Sequence, residues 1–197
     1  MSVQLDRVSF AFGQKPVLSD LSMILPEVGL VGITGPSGCG KTTFLHLLAG
    51  IVSPQAGQIK IDRRDRIGMV FQEDRLLPWL TCEANLLLVC RDKVQVREWL
   101  DKMELTQSGA CYPGELSGGM RRRIALARAL AFDCDLMLLD EPFQGMDLQL
   151  KERLYPLVLE ASRQKPVVLI SHDRTELGRL ADPVYLASGP PLRLVLA

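Results

Sequence analysis

Residues 35–43 read Gly-Pro-Ser-Gly-Cys-Gly-Lys-Thr-Thr and follow the short apolar run Leu30–Thr34. Gly35, Gly40, Lys41 and Thr42 satisfy the GxxxxGK[ST] spacing. Glycines there let the backbone curl until its N–H groups point inward, which suits the oxygens of a phosphate chain. A helix beginning at Lys41 adds its positive N-terminal end. Lys41 then reaches β- and γ-phosphates, and the Thr42 hydroxyl becomes a Mg²⁺ ligand. The nucleotide-contacting set is the whole loop: Gly35, Pro36, Ser37, Gly38, Cys39, Gly40, Lys41, Thr42 and Thr43. Cys39 lies inside it, so alkylation of that thiol is expected to block ATP binding and ATP to protect it.

Two acids, Asp140 and Glu141, follow the apolar run Leu136–Leu139. A carboxylate at the C-terminal end of a buried strand faces the crevice where ligands bind in open α/β sheets. Asp140 there would hold Mg²⁺, mainly through water, and Glu141 would polarise a water attacking the γ-phosphate. An acidic pair that only makes structural ion pairs is the competing reading. The phosphate loop upstream favours the catalytic one.

Residues 116–120 read Leu-Ser-Gly-Gly-Met, followed by Arg121–Arg123 and an Ala- and Leu-rich stretch to Leu130. Ser117, Gly118 and Gly119 open a helix, again a geometry that binds anions. On these residues the sequence resembles the nucleotide-binding subunits of ABC transporters, whose signature is LSGGQ; Met120 departs at the last position. The Leu-Ser-Gly-Gly-Met-Arg variant, and the segment Phe71–Thr81, look like those of nitrate, sulfonate and taurine importers. Other motifs stand in the family's order. Gln72 matches the Q-loop glutamine, His172 the switch histidine and Asp147 the D-loop aspartate, although Gln144-Gly145-Met146 departs from the usual Ser-Ala-Leu. Phe12 matches the aromatic residue that stacks on adenine; Phe10 shares its strand face, and at least one of the two belongs to the core.

The resemblance implies a P-loop NTPase of the ABC type across residues 1–197. A RecA-like parallel-sheet core would occupy 1–72 and 133–197, with an N-terminal antiparallel β part and a helical subdomain at about 73–132. It implies Glu141 as general base, with His172, Gln72 and Lys41 completing the catalytic set, and Mg²⁺ on Thr42, Gln72 and Asp140. It further implies an ATP-sandwich dimer in which Ser117–Gly119 of one copy closes the phosphate loop of the other. A separate integral membrane permease, a substrate-binding protein and a place on the cytoplasmic face of the inner membrane complete the expectation. Two other classes compete. A non-transport ABC ATPase of DNA repair or translation would carry coiled-coil arms, zinc modules or paired ATPase units. A P-loop kinase would need neither Ser117–Gly119 nor Glu141.

The elements that must position these groups are legible. Leu30–Thr34, Leu136–Leu139 and Val167–Ile170 are uninterrupted apolar runs, as in strands buried on both faces of a parallel sheet. Lys41–Ala49 reads as a helix with Phe44, Leu47 and Leu48 on one face. Gln58–Asp62 and Ile67–Phe71 read as short strands, Glu83–Leu105 and Gly119–Ala131 as helical, and Pro183–Ala197 as a hairpin around Gly189–Pro191. Arg121–Arg123 reads as a solvated helix face. Leu76, Leu77, Pro78 and Trp79 either pack the insert's core or line a groove for a permease helix.

Composition sets the bounds. Hydrophobic residues make up 47% of 197, enough for a real core. Lys plus Arg and Asp plus Glu are 23 each, and the resulting zero net charge argues against a general nucleic-acid binder. Five cysteines without CxxC spacing read as reduced thiols. No apolar run approaches the roughly 20 residues that span a bilayer.

Overall fold

The computed structural model describes residues 3–61 and 66–197. Asp62, the expected end of one strand, lies outside them. Two sheets form the frame. Strands β1 (Val3–Phe12), β2 (Lys15–Leu25) and β4 (Ala56–Ile61) make an antiparallel sheet in the order β2-β1-β4. The second sheet contains β3 (Gly29–Thr34), β5 (Ile67–Val70), β6 (Leu136–Asp140), β7 (Pro166–Ile170), β8 (Val184–Ser188) and β9 (Arg193–Leu196). Its order is β5-β6-β7-β3-β8-β9, parallel except for β9, which returns antiparallel to β8 as the expected hairpin.

Strands β6 and β7 are buried along their whole length. Period-2 alternation divides their side chains between two cores. Met137, Leu139, Val167 and Leu169 enter the core packed by helices α2 (Cys82–Leu87), α3 (Lys93–Lys102), α4 (Gly118–Ala131), α5 (Leu148–Ser162) and α6 (Arg174–Leu180). Leu136, Leu138, Val168 and Ile170 enter the other, with helix α1 (Lys41–Leu48) and the antiparallel sheet. Each strand is therefore apolar throughout because neither face meets water.

Every helix from Cys82 to Ala131 falls between β5 and β6. The stretch expected to be helical from Glu83 to Leu105 holds two helices, α2 and α3. Thr81 caps α2 by accepting from Ala84 N, and Asp92 caps α3 by accepting from Val94 N and Gln95 N at 2.9 Å each. These side chains satisfy orphan N–H groups at two helix starts, so the chain turns between them.

The segment leading into α2 is held by one residue that sequence reading passes over. Asn85 is fully buried. Its amide nitrogen donates to the carbonyls of Leu77, Leu80 and Thr81 at 3.1 Å each, and its oxygen accepts from Leu77 N at 2.9 Å. Replacing Asn85 by Leu leaves buried backbone groups unpaired, at a cost of about 2–3 kcal/mol. In a domain of this size that lowers Tm by roughly 5–10 °C. Calorimetry of Asn85→Leu checks this; an unchanged Tm would mean that the loop is held by other contacts.

Candidate functional site

The phosphate loop joins β3 to α1 at the C-terminal edge of the parallel sheet. Two glycines make the path possible. A Cβ on Gly35 would stand 2.3 Å from the Ala187 carbonyl oxygen, so the backbone of β8 permits no side chain there. Gly40 caps α1 at φ 110, in the left-handed region, with Val17 and Leu192 close by. Lys41, the first residue of α1, is buried, and its Nζ donates to the carbonyls of Gly35 (2.8 Å) and Pro36 (2.9 Å). The ammonium thus spans the loop it must serve. Thr42 Oγ1 donates to Asp140 Oδ2 at 2.8 Å, which brings loop and strand end together.

A cleft of about 280 Å³ opens over this loop. Ser37, Gly38, Gly40, Lys41, Thr42 and Thr43 line it, together with Gln72, Asp140, Glu141 and His172. Phe12 lies at its edge beside Lys15 and is 59% exposed, whereas Phe10 is buried and meets it edge-on with ring centroids 5.0 Å apart. The core aromatic is Phe10, and the free face belongs to Phe12. Cys39 differs from expectation. Its side chain is fully buried in the core beneath the loop, with Lys41 Nζ 3.9 Å from its sulfur. Burial there shields it from a maleimide and speaks against the expected alkylation; Cys111 is the partly exposed cysteine, and all five are free.

The two carboxylates are buried in different ways. Burial pushes the Asp140 carboxyl above its ordinary value, against the opposing pull of the Thr42 hydrogen bond and of Arg122, His46 and Lys41. Burial raises Glu141 as well, and His172 opposes it. Glu141 holds φ 51, a left-handed backbone that costs a non-glycine residue about 1–3 kcal/mol. Its N–H donates to the Ile170 carbonyl at 3.0 Å. Its Oε1 is buried and faces His172 Nε2 at 3.4 Å, with no other side-chain partner. A buried carboxylate held by one imidazole, with its remaining acceptor capacity unused, is suited to take a proton from a water entering the cleft.

Arg121–Arg123 is not a solvated face. Arg122 is buried and its guanidinium fills a cage of carbonyls. Nε donates to Glu141 O (3.0 Å), Nη2 to Glu141 O (2.7 Å) and Asp140 O (2.5 Å), and Nη1 to Phe71 O (2.5 Å) and Gln72 O (3.2 Å). Nη1 also meets the Asp74 carboxylate at 3.2 Å. Arg121 donates to Leu116 O, and Arg123 to Met103 O. These carbonyls lie at strand and helix ends, where that of Glu141 also accepts from Gln144 N at 3.2 Å, and arginine supplies five donors in a planar fork. A charge-run reading cannot see this, because it scores residue type and not what the fold places beneath it.

Ser117–Gly119 does not join the cleft. Ser117 Oγ caps α4 by accepting from Met120 N at 3.2 Å. Gly118 and Gly119 line a separate shallow groove with Gln72, Asp74, Arg122, Gln144 and Gly145. Asp147 caps α5, accepting from Leu150 N at 2.9 Å. Trp79 is 68% exposed and does not pack the insert's core, while Leu76 is half-buried against it.

A phosphate loop between a parallel strand and a helix, faced by a strand-ending acidic pair, defines a P-loop nucleotide-binding protein. The sequence pattern of the ABC transporter family matches residues 18–144. A taurine import ATP-binding protein of Pseudomonas aeruginosa is 37% identical over 210 aligned positions, covering 96% of this chain and 80% of that protein. An aliphatic sulfonates import ATP-binding protein of Bacillus cereus is 37% identical, covering 97% and 83%. The ATP-binding cassette MJ0796, solved as a dimer in a post-hydrolysis state with ADP and Pi, superimposes with a TM-score of 0.82 at 29% identity, covering 93% of each chain. The chain belongs to the ABC transporter family and is one of its ATP-hydrolysing cassettes.

The raised Asp140 carboxyl makes a pH-dependent prediction. Its contribution favours folding below the ordinary value of 3.8, where the group is protonated in both states, and is lost as pH climbs through the raised folded value. At pH 7 the buried charge therefore costs stability. Asp140→Asn should raise the Tm of the nucleotide-free protein at pH 7, and the gain should shrink toward pH 4. Scanning calorimetry across that range checks the sign; a lowered Tm at pH 7 would mean that the Thr42 bond outweighs burial.

Proposed function

We propose that this chain powers uptake through a separate membrane permease, binding ATP in the cleft and hydrolysing it when a second copy closes over the nucleotide. The observation that carries the reading is the convergence of the phosphate loop, Asp140, Glu141, Gln72 and His172 on one cleft, with Ser117–Gly119 turned away from it. Phe12 stacks on the adenine, backbone N–H groups of Gly35–Thr43 take the phosphates, and Lys41 leaves its loop carbonyls for β- and γ-oxygens. Thr42, Asp140 and Gln72 would hold Mg²⁺. The fit rests on the Thr42 hydroxyl and Asp140 carboxylate lying 2.8 Å apart on the cleft wall that Gln72 shares. Among the described residues no cluster of three His, Cys, Asp or Glu could cage a metal, so phosphate and water would complete the shell. Mg²⁺ held there would offset charge on the β- and γ-phosphates.

Glu141 acts as general base, and His172 lies against its carboxylate to orient it and sense the γ-phosphate. Ser117 and Gly119 are free to face the ATP of a second copy, whose charge two helix ends would then share. The import relatives favour transport over a repair or translation role. No helix of the described residues is long and apolar enough to cross a membrane; the likeness to import ATP-binding proteins is what supports a separate permease. We place the subunit on the cytoplasmic face of the membrane, residues 73–132 forming the helical part that meets the permease, and a substrate-binding protein delivering cargo from the far side. Exposed Trp79, Leu87, Leu88 and Val94 give that part an apolar surface to offer.

Glu141→Gln should bind ATP with near-normal affinity and lose ~10²–10⁴ in turnover. A steady-state phosphate-release assay beside nucleotide titration checks it; near-normal turnover would remove Glu141 from this role. Trp79→Ala, at an exposed site, should leave Tm and ATP affinity of the isolated subunit unchanged yet weaken co-purification with the permease and uncouple uptake. A variant that assembles and transports normally would sink the docking role.

A further inference from the structure

Arg122 stands five residues after Ser117, on the first turns of the helix whose N-terminus is exposed for the second copy. Its fork takes the carbonyls of Asp140 and Glu141 from the end of β6, and those of Phe71 and Gln72 from the segment after β5. Those two segments carry Glu141 and Gln72, both on the cleft wall. The neighbouring arginines do something else. Arg121 and Arg123 bond carbonyls within the helical part, and Arg128 bonds the Arg75 carbonyl. Among the described hydrogen bonds of α4's arginines, those of Arg122 alone reach the strand end that bears the acidic pair.

Glu141 needs such a hold. Its backbone is in the left-handed region, and its carbonyl accepts from two atoms of one guanidinium at 3.0 and 2.7 Å. Without that grip the carbonyl keeps only its 3.2 Å bond from Gln144 N, and the left-handed peptide can relax and turn the carboxylate from the cleft. Because the same rigid plane also holds Phe71 and Gln72, a movement of any of these carbonyls reaches α4 and Ser117–Gly119 together. We propose that Arg122 is a positioning residue that fixes the backbone of Glu141 and ties it, with Gln72, to the helix presented to the second copy. The assignment rests on the general-base reading of Glu141.

The test is a double-mutant cycle of Arg122→Lys and Glu141→Gln on the purified subunit. Lysine retains the charge and stem but loses the planar fork. Arg122→Lys should keep its cooperative melt, bind ATP within about threefold of wild type, leave KM unchanged and lose about 10–100-fold in kcat, the scale of a misplacement near 1 Å. In the Glu141→Gln background, single-turnover hydrolysis should show no further loss on adding Arg122→Lys, because both substitutions disable one group. Should lysine prevent folding, Arg122→Gln, which retains an amide donor, is carried through the same cycle. Wild-type kcat in the folded variant, or losses that multiply in the double mutant, would overturn the assignment. A Glu141→Gln protein at full rate would instead overturn the reading of Glu141 on which it rests.

Discussion

The architecture depends on keeping carboxylates buried at the end of an apolar strand and aimed at one cleft. Leu136–Leu139 has no polar side chain, yet it delivers Asp140 and Glu141 to a place where burial raises both. A buried charge is tolerated only when paired or hydrogen-bonded. Asp140 takes the Thr42 hydroxyl, which also fixes the first turn of α1 against β6. Glu141 faces His172 and keeps a left-handed backbone, which Arg122 holds from below. Phosphate loop, Q-loop segment, strand end and α4 are thereby bonded into one unit whose exposed side is the cleft.

Much of this was legible because it follows from spacing and period. The phosphate loop, the buried parallel strands β3, β6 and β7, the terminal hairpin and α4 all answer to short-range rules, and the structure contains them. The composition from Glu83 to Leu105 favours helix without marking where helices begin; the caps Thr81 and Asp92 set two starts. What escaped is what depends on tertiary context. Arg122 looks like a surface charge until the fold places four carbonyls around it, and Asn85 is unremarkable until it is seen joining three carbonyls. Cys39 lies within the phosphate motif, but its side chain is buried in the core beneath the loop.

The separation of Ser117–Gly119 from the phosphate loop gives the rest its sense. One chain gathers a glycine-rich loop, a helix end and two carboxylates at one cleft, and displays on another surface a second helix start capped by Ser117 with two glycines that carry no side chain. A site shared between copies would make closure depend on nucleotide, and opening on its hydrolysis, without any large change inside either protomer.

The most direct test is the mass of the protein in solution when hydrolysis is blocked. Light scattering on Glu141→Gln should show the 21.9 kDa protomer without nucleotide and twice that mass with ATP, and Ser117→Arg added to it should keep ATP binding but abolish the doubling. A protein that binds ATP and stays at the protomer mass, or that doubles equally well with Ser117→Arg, would contradict a site completed by the second copy.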